Sequence, residues 1–575
     1  MTSFLVSAVS LVGLYILYCW FCLFRNIQSA RTIGIPVVWS PVSPFNPLWI
    51  VLNKRLSPLI RRLPFGIGKW TRYNSLDWTW VDRAHGACYV HETYGDTFAH
   101  ATPREIEIHT RDPAVVDEVL RRKSTEFPKI SHYAKVLDFF GTSLVSSDGD
   151  DWNRHRKATV ATLSDRNNRL VWAESARQAQ QMIDHYRVTL DGHVVNPVED
   201  VRELYLHVFT GVCFGYRYDF KQPVEKCIAE GHKRSYKDCL HTSLSNLLIL
   251  RLLPQWVLNL PALPRRIANF REATVEMRQY LEEMIGSFKK DLKGGLATWE
   301  RTKTDNLLSF MVKSSREAET EWKAAGFNSP KRSHLADSDI RGNLFTYSLG
   351  GHESSAHTLT FALYLLVGFP QHQDWLIEEI DAVLEENKEW RSEEAFMEVF
   401  PRLKRCQAVM LETLRLYPSV TVLPKCTGSA SATLFIEGIE RRVPPRTNVF
   451  VNMPSIQVHR PIWGADSKVW NPSRWISTTE KGLQAEQVIS PPDAAFLPWS
   501  EGKRACPGKR FSQVGFVAAL VVLLHNHRIE VVPRDGESFD HARKRVSEVV
   551  ENTYAVLTVN MYEPLSVQLR MCRRK

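Results

Sequence analysis

Residues 496–511 read FLPWSEGKRACPGKRF, from Phe496 to Phe511, and no other stretch of the chain narrows its chemistry as far. Gly502, Arg504, Cys506 and Gly508 stand there at fixed spacing. At average residue frequencies those four positions coincide by chance about a few times per million starts. A lone cysteine is usually a small buried hydrophobe. Here Lys503, Arg504, Lys509 and Arg510 surround it, and nearby cations stabilise a thiolate. Gly502 and Gly508 let backbone pass close to a large flat ligand. A helix is expected to begin just past Pro507, with its amino end favouring a negative sulfur.

Working outward, LETLRLYP places Glu412 three residues before Arg415, a spacing at which helical side chains pair. Arg474 follows in WNPSRW, Lys425 lies in LPKCT, and DWNRHRK holds Trp152 and Arg156. Asp339 to Leu366, DIRGNLFTYSLGGHESSAHTLTFALYLL, reads as one long helix with Asp337 and Ser338 as candidate caps. Gly350 and Gly351 each cost about 1 kcal/mol against alanine in a helix. Side by side they suggest a groove where a ligand approaches. Glu353 and Ser354 follow, an acid beside an alcohol, which can relay protons inward from water.

Together these stretches resemble the cytochrome P450 family. The Cys506 segment is similar to its haem-binding loop, Phe-x-x-Gly-x-Arg-x-Cys-x-Gly, with Trp499 where phenylalanine is usual. The resemblance implies that Cys506 is the axial iron ligand of haem b, in a loop that Gly502 and Gly508 shape around the cofactor. A thiolate there pushes electron density onto iron and favours O–O cleavage. Glu412, Arg415 and Arg474 look like the family's structural Glu-Arg-Arg triad, which ties a helix to the loop before the cysteine; Trp475 replaces the common phenylalanine. Trp152 and Arg156 look like its Trp-x-x-x-Arg motif, which meets a haem propionate, and a guanidinium suits a carboxylate through paired donors. Lys425 and Arg504 are implied to share that task.

Gly350 to Ser355 resembles Ala/Gly-Gly-x-Asp/Glu-Thr-Thr, which makes Glu353 and Ser354 the catalytic proton handlers and leaves His352 at the free position. Ser354 keeps the hydroxyl of the usual threonine but loses its χ1 stiffness. The implied activity is a monooxygenase that inserts one oxygen atom of O2 into a lipophilic small molecule, in a style similar to fungal secondary metabolism. Electrons are implied to come from a separate NADPH-cytochrome P450 reductase, since no Gly-x-Gly-x-x-Gly follows a strand. The basic residues around Cys506 suit an acidic partner. Two alternatives stand beside it. One is a haem-thiolate isomerase or dehydratase that uses no O2, against which the acid–alcohol pair speaks. The other is a haem-binding protein without turnover, which NADPH consumption would separate.

The chain has 575 residues, 44% of them hydrophobic and 24% charged, with a net charge of +10. That charge suits an anionic membrane or an acidic partner. With no zinc-finger spacing and no dense Lys/Arg tract, nucleic acid ranks last as a partner. Ten thinly spread cysteines and the lack of an Asn-x-Ser/Thr sequon fit a body in a reducing cytosol. Phe4 to Phe24 is 21 residues without a charge, about the ~20 that a membrane helix needs. Arg25 and Arg31 follow, and the positive-inside rule then puts the remainder in the cytosol. A cleaved signal peptide fits worse, because the charged n-region is missing and the run is too long. Cys19 and Cys22, inside the run, read as small apolar side chains.

Pro36, Pro41, Pro44 and Pro47 make a stiff connector. The expected organisation is a transmembrane anchor over 1–24, a proline-rich linker over 25–50 and a haem-thiolate monooxygenase domain over 51–575. The fold expected of that domain is mainly α with small β-sheets, the cytochrome P450 fold. The resemblance places it at the endoplasmic reticulum membrane, single-pass, facing the cytosol. Leu247 to Leu263 is apolar yet broken by Pro254 and Pro261, with Lys233, Arg234, Arg265 and Arg266 around it. It reads either as a second membrane contact or as a core segment between helices. Substrate contacts are expected near Phe139–Val145, near Leu247–Leu263, around Phe345 and after Val420.

Overall fold

The computed structural model describes residues 2–130, 135–160, 162–189, 191–221, 228–246, 257, 260, 263–294, 306–324, 334–478, 480, 482–556 and 558–574. Helix α1 (Thr2–Arg31) leaves Leu11, Leu14, Leu17, Phe21 and Phe24 exposed. Its Val9–Arg31 portion is long and apolar enough to cross a membrane. The helix does not stop at residue 24. Cys22, Leu23 and Ala30 are buried, and Asn26 Nδ2 donates to the Thr102 carbonyl at 2.8 Å. The segment 25–50, expected as a stiff proline-rich connector, carries ordered elements. It holds the last turns of α1, strand β1 (Val37–Trp39) and the start of α2 (Pro47–Ile60). Pro47 sits at the first helical position, where its missing N–H costs nothing. Asn46 Oδ1 accepts from Leu48 and Trp49 at 3.0 and 3.1 Å and caps the helix.

Strand β1 is the edge of a five-stranded sheet with β2 (Thr97–Ala101), β3 (Ile106–Thr110), β4 (Val422–Cys426) and β5 (Asn448–Asn452), in the order β1-β2-β3-β5-β4. The β1–β2 and β3–β5 pairs are parallel; β2–β3 and β4–β5 are antiparallel. Strand side chains alternate between faces. Ala99, Ala101, Ile106 and Ile108 join an apolar cluster, so Phe98, His100, Glu107 and His109 turn to the opposite face. Four smaller sheets of two or three strands complete the β content of the described residues.

Helices form most of the body, as expected. The site is built on α3 (Gly149–Val160), α4 (Pro197–Phe209), α5 (Asp337–Ser348), α6 (Ser354–Gly368), α7 (Lys404–Leu416) and α8 (Lys509–His525). α8 is buried continuously from Val514 to Leu524, as an all-round apolar helix must be. It packs on the helix Asp165–Thr189 and on α7. The long helix read from the sequence is two helices, α5 and α6, joined by a π-helical turn over Leu349–Glu353. Its cap position is Ala336 rather than Asp337 or Ser338. Asp339 reaches back and accepts the Ala336 N–H at 3.1 Å, the return half of a capping box. Leu247–Leu263 falls for the most part outside the described residues.

Candidate functional site

The Cys506 loop is shaped first by its glycine. Gly502 has φ +71°, and a Cβ there would stand 2.2 Å from the Leu120 carbonyl oxygen. Leu120 backbone is thus one close neighbour that leaves no room for a side chain at Gly502. A short 3-10 turn, Gly502–Arg504, leads into the cysteine. The Cys506 N–H donates to the Trp499 carbonyl at 2.7 Å, which closes the loop. Trp499 is held in turn by its Nε1, 3.0 Å from Ser512 Oγ. Gly508 caps α8, so the helix does begin just past Pro507. A Cβ on Gly508 would meet Cys506 Sγ at 3.8 Å, an ordinary contact.

Cys506 is open to solvent yet enclosed by protein on most sides. Desolvation pushes its thiol pKa up, and a hydrogen bond from the Gly508 N–H opposes this. The four cations expected to stabilise a thiolate are engaged elsewhere or exposed. Arg504 pairs with Asp148 and donates to the Ser147 carbonyl at 3.1 Å. Lys509 lies over the Trp499 ring and Arg510 over Phe400, while Lys503 is exposed. Burial of the sulfur is thus opposed by the Gly508 N–H rather than by those cations.

Arg504, distant in sequence, comes to Trp152 and Arg156, which lie one turn apart on α3. The Arg504 and Arg156 guanidinium carbons lie 4.2 and 5.2 Å from the Trp152 ring centroid, and Arg156 Nη1 donates to the Lys503 carbonyl at 2.7 Å. Lys425, on β4, is 6% exposed and has no hydrogen-bond or ion-pair partner among the described residues. Burial lowers its pKa, and Arg504 adds to the effect. Lys129 belongs to the same group and was not read from the sequence. Burial, then Arg504 and Lys425, push its pKa down to about 7, and its Nζ donates to the Val145 carbonyl at 3.1 Å. No motif marks it; only the pairing of Cys426 N with the Pro128 carbonyl, 3.0 Å, brings the two lysines together. Crowded, partly buried cations with a single half-exposed carboxylate, Asp148, are a receptor for added negative charge.

On the π turn, Glu353 stands 3.2 Å from Arg202 of α4. It borders a cavity of about 220 Å³ that Arg202, His357, Thr360, Tyr554 and Asn560 also line. Ser354 Oγ donates to the Gly350 carbonyl at 2.7 Å, one turn back along its own helix. His352 is buried with Nδ1 against the Ser348 carbonyl, and burial lowers its pKa. The paired glycines have different surroundings. A Cβ on Gly351 would stand 2.3 Å from the Phe209 ring, whereas nothing lies within 4 Å of one on Gly350. The expected ligand groove thus narrows to Gly350, and Gly351 serves the crossing with α4. Burial chiefly, with Cys506 among the smaller causes, raises the Tyr347 phenol; the sulfur is within electrostatic reach of α5.

Glu412 and Arg415 are fully buried. Arg415 donates twice to Glu412, each at 2.8 Å, and reaches the carbonyls of Gln457, Ser467 and Val469. Arg474 Nε donates to Glu412 Oε1 at 3.0 Å. Trp475 adds a bond that phenylalanine would lack, Nε1 to Glu412 Oε2 at 2.9 Å. The 139–145 loop docks on α5: the Phe140 and Phe345 ring centroids are 4.4 Å apart, and Leu144 N donates to Asn343 Oδ1 at 2.8 Å. Asn343 Nδ2 also meets His155 Nδ1 of α3 at 2.8 Å.

Residues 70–553 match the family model described as cytochrome P450. Among curated proteins, a cytochrome P450 monooxygenase of Arthrobotrys oligospora is 28% identical over 99% of this chain and 98% of that one. The phomenoic acid biosynthesis cluster cytochrome P450 monooxygenase of Leptosphaeria maculans is 25% identical over the whole of both. Cytochrome P450 monooxygenase 124 of Postia placenta is 30% identical over 76% of this chain and 78% of its own length.

Proposed function

Since the chain belongs to the cytochrome P450 family and is an oxidoreductase of its monooxygenase type, we propose that it inserts one oxygen atom of O2 into a lipophilic secondary metabolite, with electrons from a separate NADPH-cytochrome P450 reductase. The carrying observation is the solvent-open Cys506 in a loop whose Arg504 lies within electrostatic reach of buried Lys425, a lysine with no side-chain partner among the described residues. Those two features fit a flat iron macrocycle that bears carboxylates: a sulfur for the metal and a cation for the rim. Arg156, Arg504, Lys425 and Lys129 hold the propionates, and Trp152 supports the two guanidiniums. Bound haem supplies the activation of O2.

The chain's own groups supply protons and orientation. Glu353, beside the cavity and clamped by Arg202, takes up and releases protons at its carboxylate. The Ser354 hydroxyl passes them along by turning from the Gly350 carbonyl. The Glu412–Arg415–Arg474 triad holds the loop that carries Cys506. The exposed Lys503 and Lys509 suit the acidic reductase face. Val9–Arg31 supports a single-pass anchor. The catalytic domain, taken over residues 51–575, then lies on the cytosolic side of the endoplasmic reticulum membrane. The exposed Leu48, Val51, Leu59 and Phe65, just beyond the anchor, agree with a body held against lipid.

The test is the carbon monoxide spectrum of the reduced protein and NADPH-dependent turnover with a reductase. A thiolate-type band that disappears in Cys506→Ser, together with oxygenated product, is expected. A wild-type spectrum without that band, or full turnover by Cys506→Ser, would sink the assignment.

A further inference from the structure

We propose that His100, Glu107 and His109 form a binding site for a divalent transition-metal ion of the zinc type, separate from the Cys506 site. The three side chains share one face of the large sheet. His100 and Glu107 are cross-strand partners in the β2–β3 register, and His109 follows Glu107 by two residues on β3. Their donor atoms all lie within 4.8 Å of one another. Glu107 Oε2 is 3.0 Å from His100 Nδ1 and 3.1 Å from His109 Nε2. Two donors on a tetrahedral zinc stand about 3.3 Å apart, given bonds of about 2.0–2.1 Å, so the two Glu107 contacts already lie within a few tenths of an ångström of that spacing.

Proton accounting favours the ion. Ser40 Oγ donates its one hydrogen to the Val42 carbonyl at 2.9 Å, so it can only accept from His100 Nε2, 2.8 Å away. The His100 proton is therefore on Nε2, and a neutral ring turns the bare Nδ1 lone pair toward a carboxylate oxygen. That arrangement repels unless a cation or an extra proton lies between the two. A metal-bound imidazole with its other N–H held by an oxygen acceptor is the usual orienting pattern. Burial supplies the second argument. His100, Glu107 and His109 are 0%, 1% and 4% exposed. No lysine or arginine among the described residues pairs with Glu107, and a buried carboxylate without a cation is costly. Among the described residues Glu107 Oε1 and His109 Nδ1 have no hydrogen-bond partner; Oε1 is then free to be a further metal donor. Ser40 lies just past β1, so the ion would fasten the segment after the anchor to the sheet.

The test counts zinc in full-length, haem-loaded protein without an affinity tag, stripped with a chelator and dialysed against zinc chloride. About one zinc per haem iron is expected in the wild type and at least about tenfold less in His109→Ala. Wild-type protein that keeps less than about a tenth of a zinc per haem, or His109→Ala protein that keeps the wild-type amount, overturns the site. Should His109→Ala fail to fold, zinc-edge X-ray absorption of the wild type decides. Imidazole and carboxylate ligands are expected, and a water or thiolate shell overturns the proposal.

Discussion

Arg202 of α4 holds Glu353 at 3.2 Å across the helix crossing, and the same guanidinium holds Glu199 at 2.6 Å. Glu353 is thereby aimed at the cavity rather than left to swing. Proton transfer by a positioned side chain contributes about 10²–10⁴-fold to a rate. Glu353→Gln is expected to lower kcat by about 10²-fold with the substrate-induced haem spectral shift unchanged. Arg202→Leu should lower kcat with KM little altered, and Arg202→Lys should restore most of it. Steady-state kinetics of the three variants, with spectral titration, checks the expectation.

Gly351 sits where a Cβ would press on the Phe209 ring at 2.3 Å, while Gly350 faces open space. Overpacking a tight crossing costs about 1–3 kcal/mol. Gly351→Ala should destabilise by about that amount, and Phe209→Leu should relieve it in the double variant. Gly350→Ala should leave folding intact. Denaturant unfolding of all four proteins measures this.

Trp475 donates to Glu412 at 2.9 Å inside the triad. Hydrogen bonds to a charged group are worth about 1.5–3 kcal/mol. Trp475→Phe should lose stability in that range and keep the haem. Arg415→Leu breaks a fully buried ion pair and leaves Glu412 only its Arg474, Trp475 and Asn471 donors; breaking such a pair costs about 3–5 kcal/mol and should yield little haem-loaded protein. Thermal unfolding and haem content on purification report the difference.

Lys129 releases its proton near pH 7 in the folded chain, while the unfolded chain holds it up to the ordinary lysine value. Between those two points the unfolded state binds more protons, so unfolding free energy rises with pH. Haem-free protein should therefore gain stability as pH climbs through that window, and Lys129→Met should flatten the gain. Haem-loaded protein should show less of it, because the propionates compensate the ammonium. Chemical denaturation of both forms across the window is the measurement.

The parts legible beforehand were those whose partners are near in sequence. The Cys506 loop and the start of α8 span 16 residues, and Glu412 and Arg415 meet one turn apart. Misreadings arose where a distant residue decides the outcome. Gly351 was read with Gly350 as a groove because Phe209, which packs against it, was not in view. Residues 25–50 read only as a stiff connector because their prolines say nothing of β2, to which β1 pairs.

Residue type and spacing alone determined the kind of chemistry: a cysteine between glycines and cations, an acid beside an alcohol, and an apolar run long enough for a membrane. Tertiary structure alone decided which charges share a site. It set Arg202 on Glu353, gathered Lys129 with Lys425 and Arg504, and stacked His100, Glu107 and His109 on one sheet face. Local spacing governs backbone and capping forces that act over a few residues. Electrostatic compensation acts through space, between side chains whose meeting depends on how every intervening element packs.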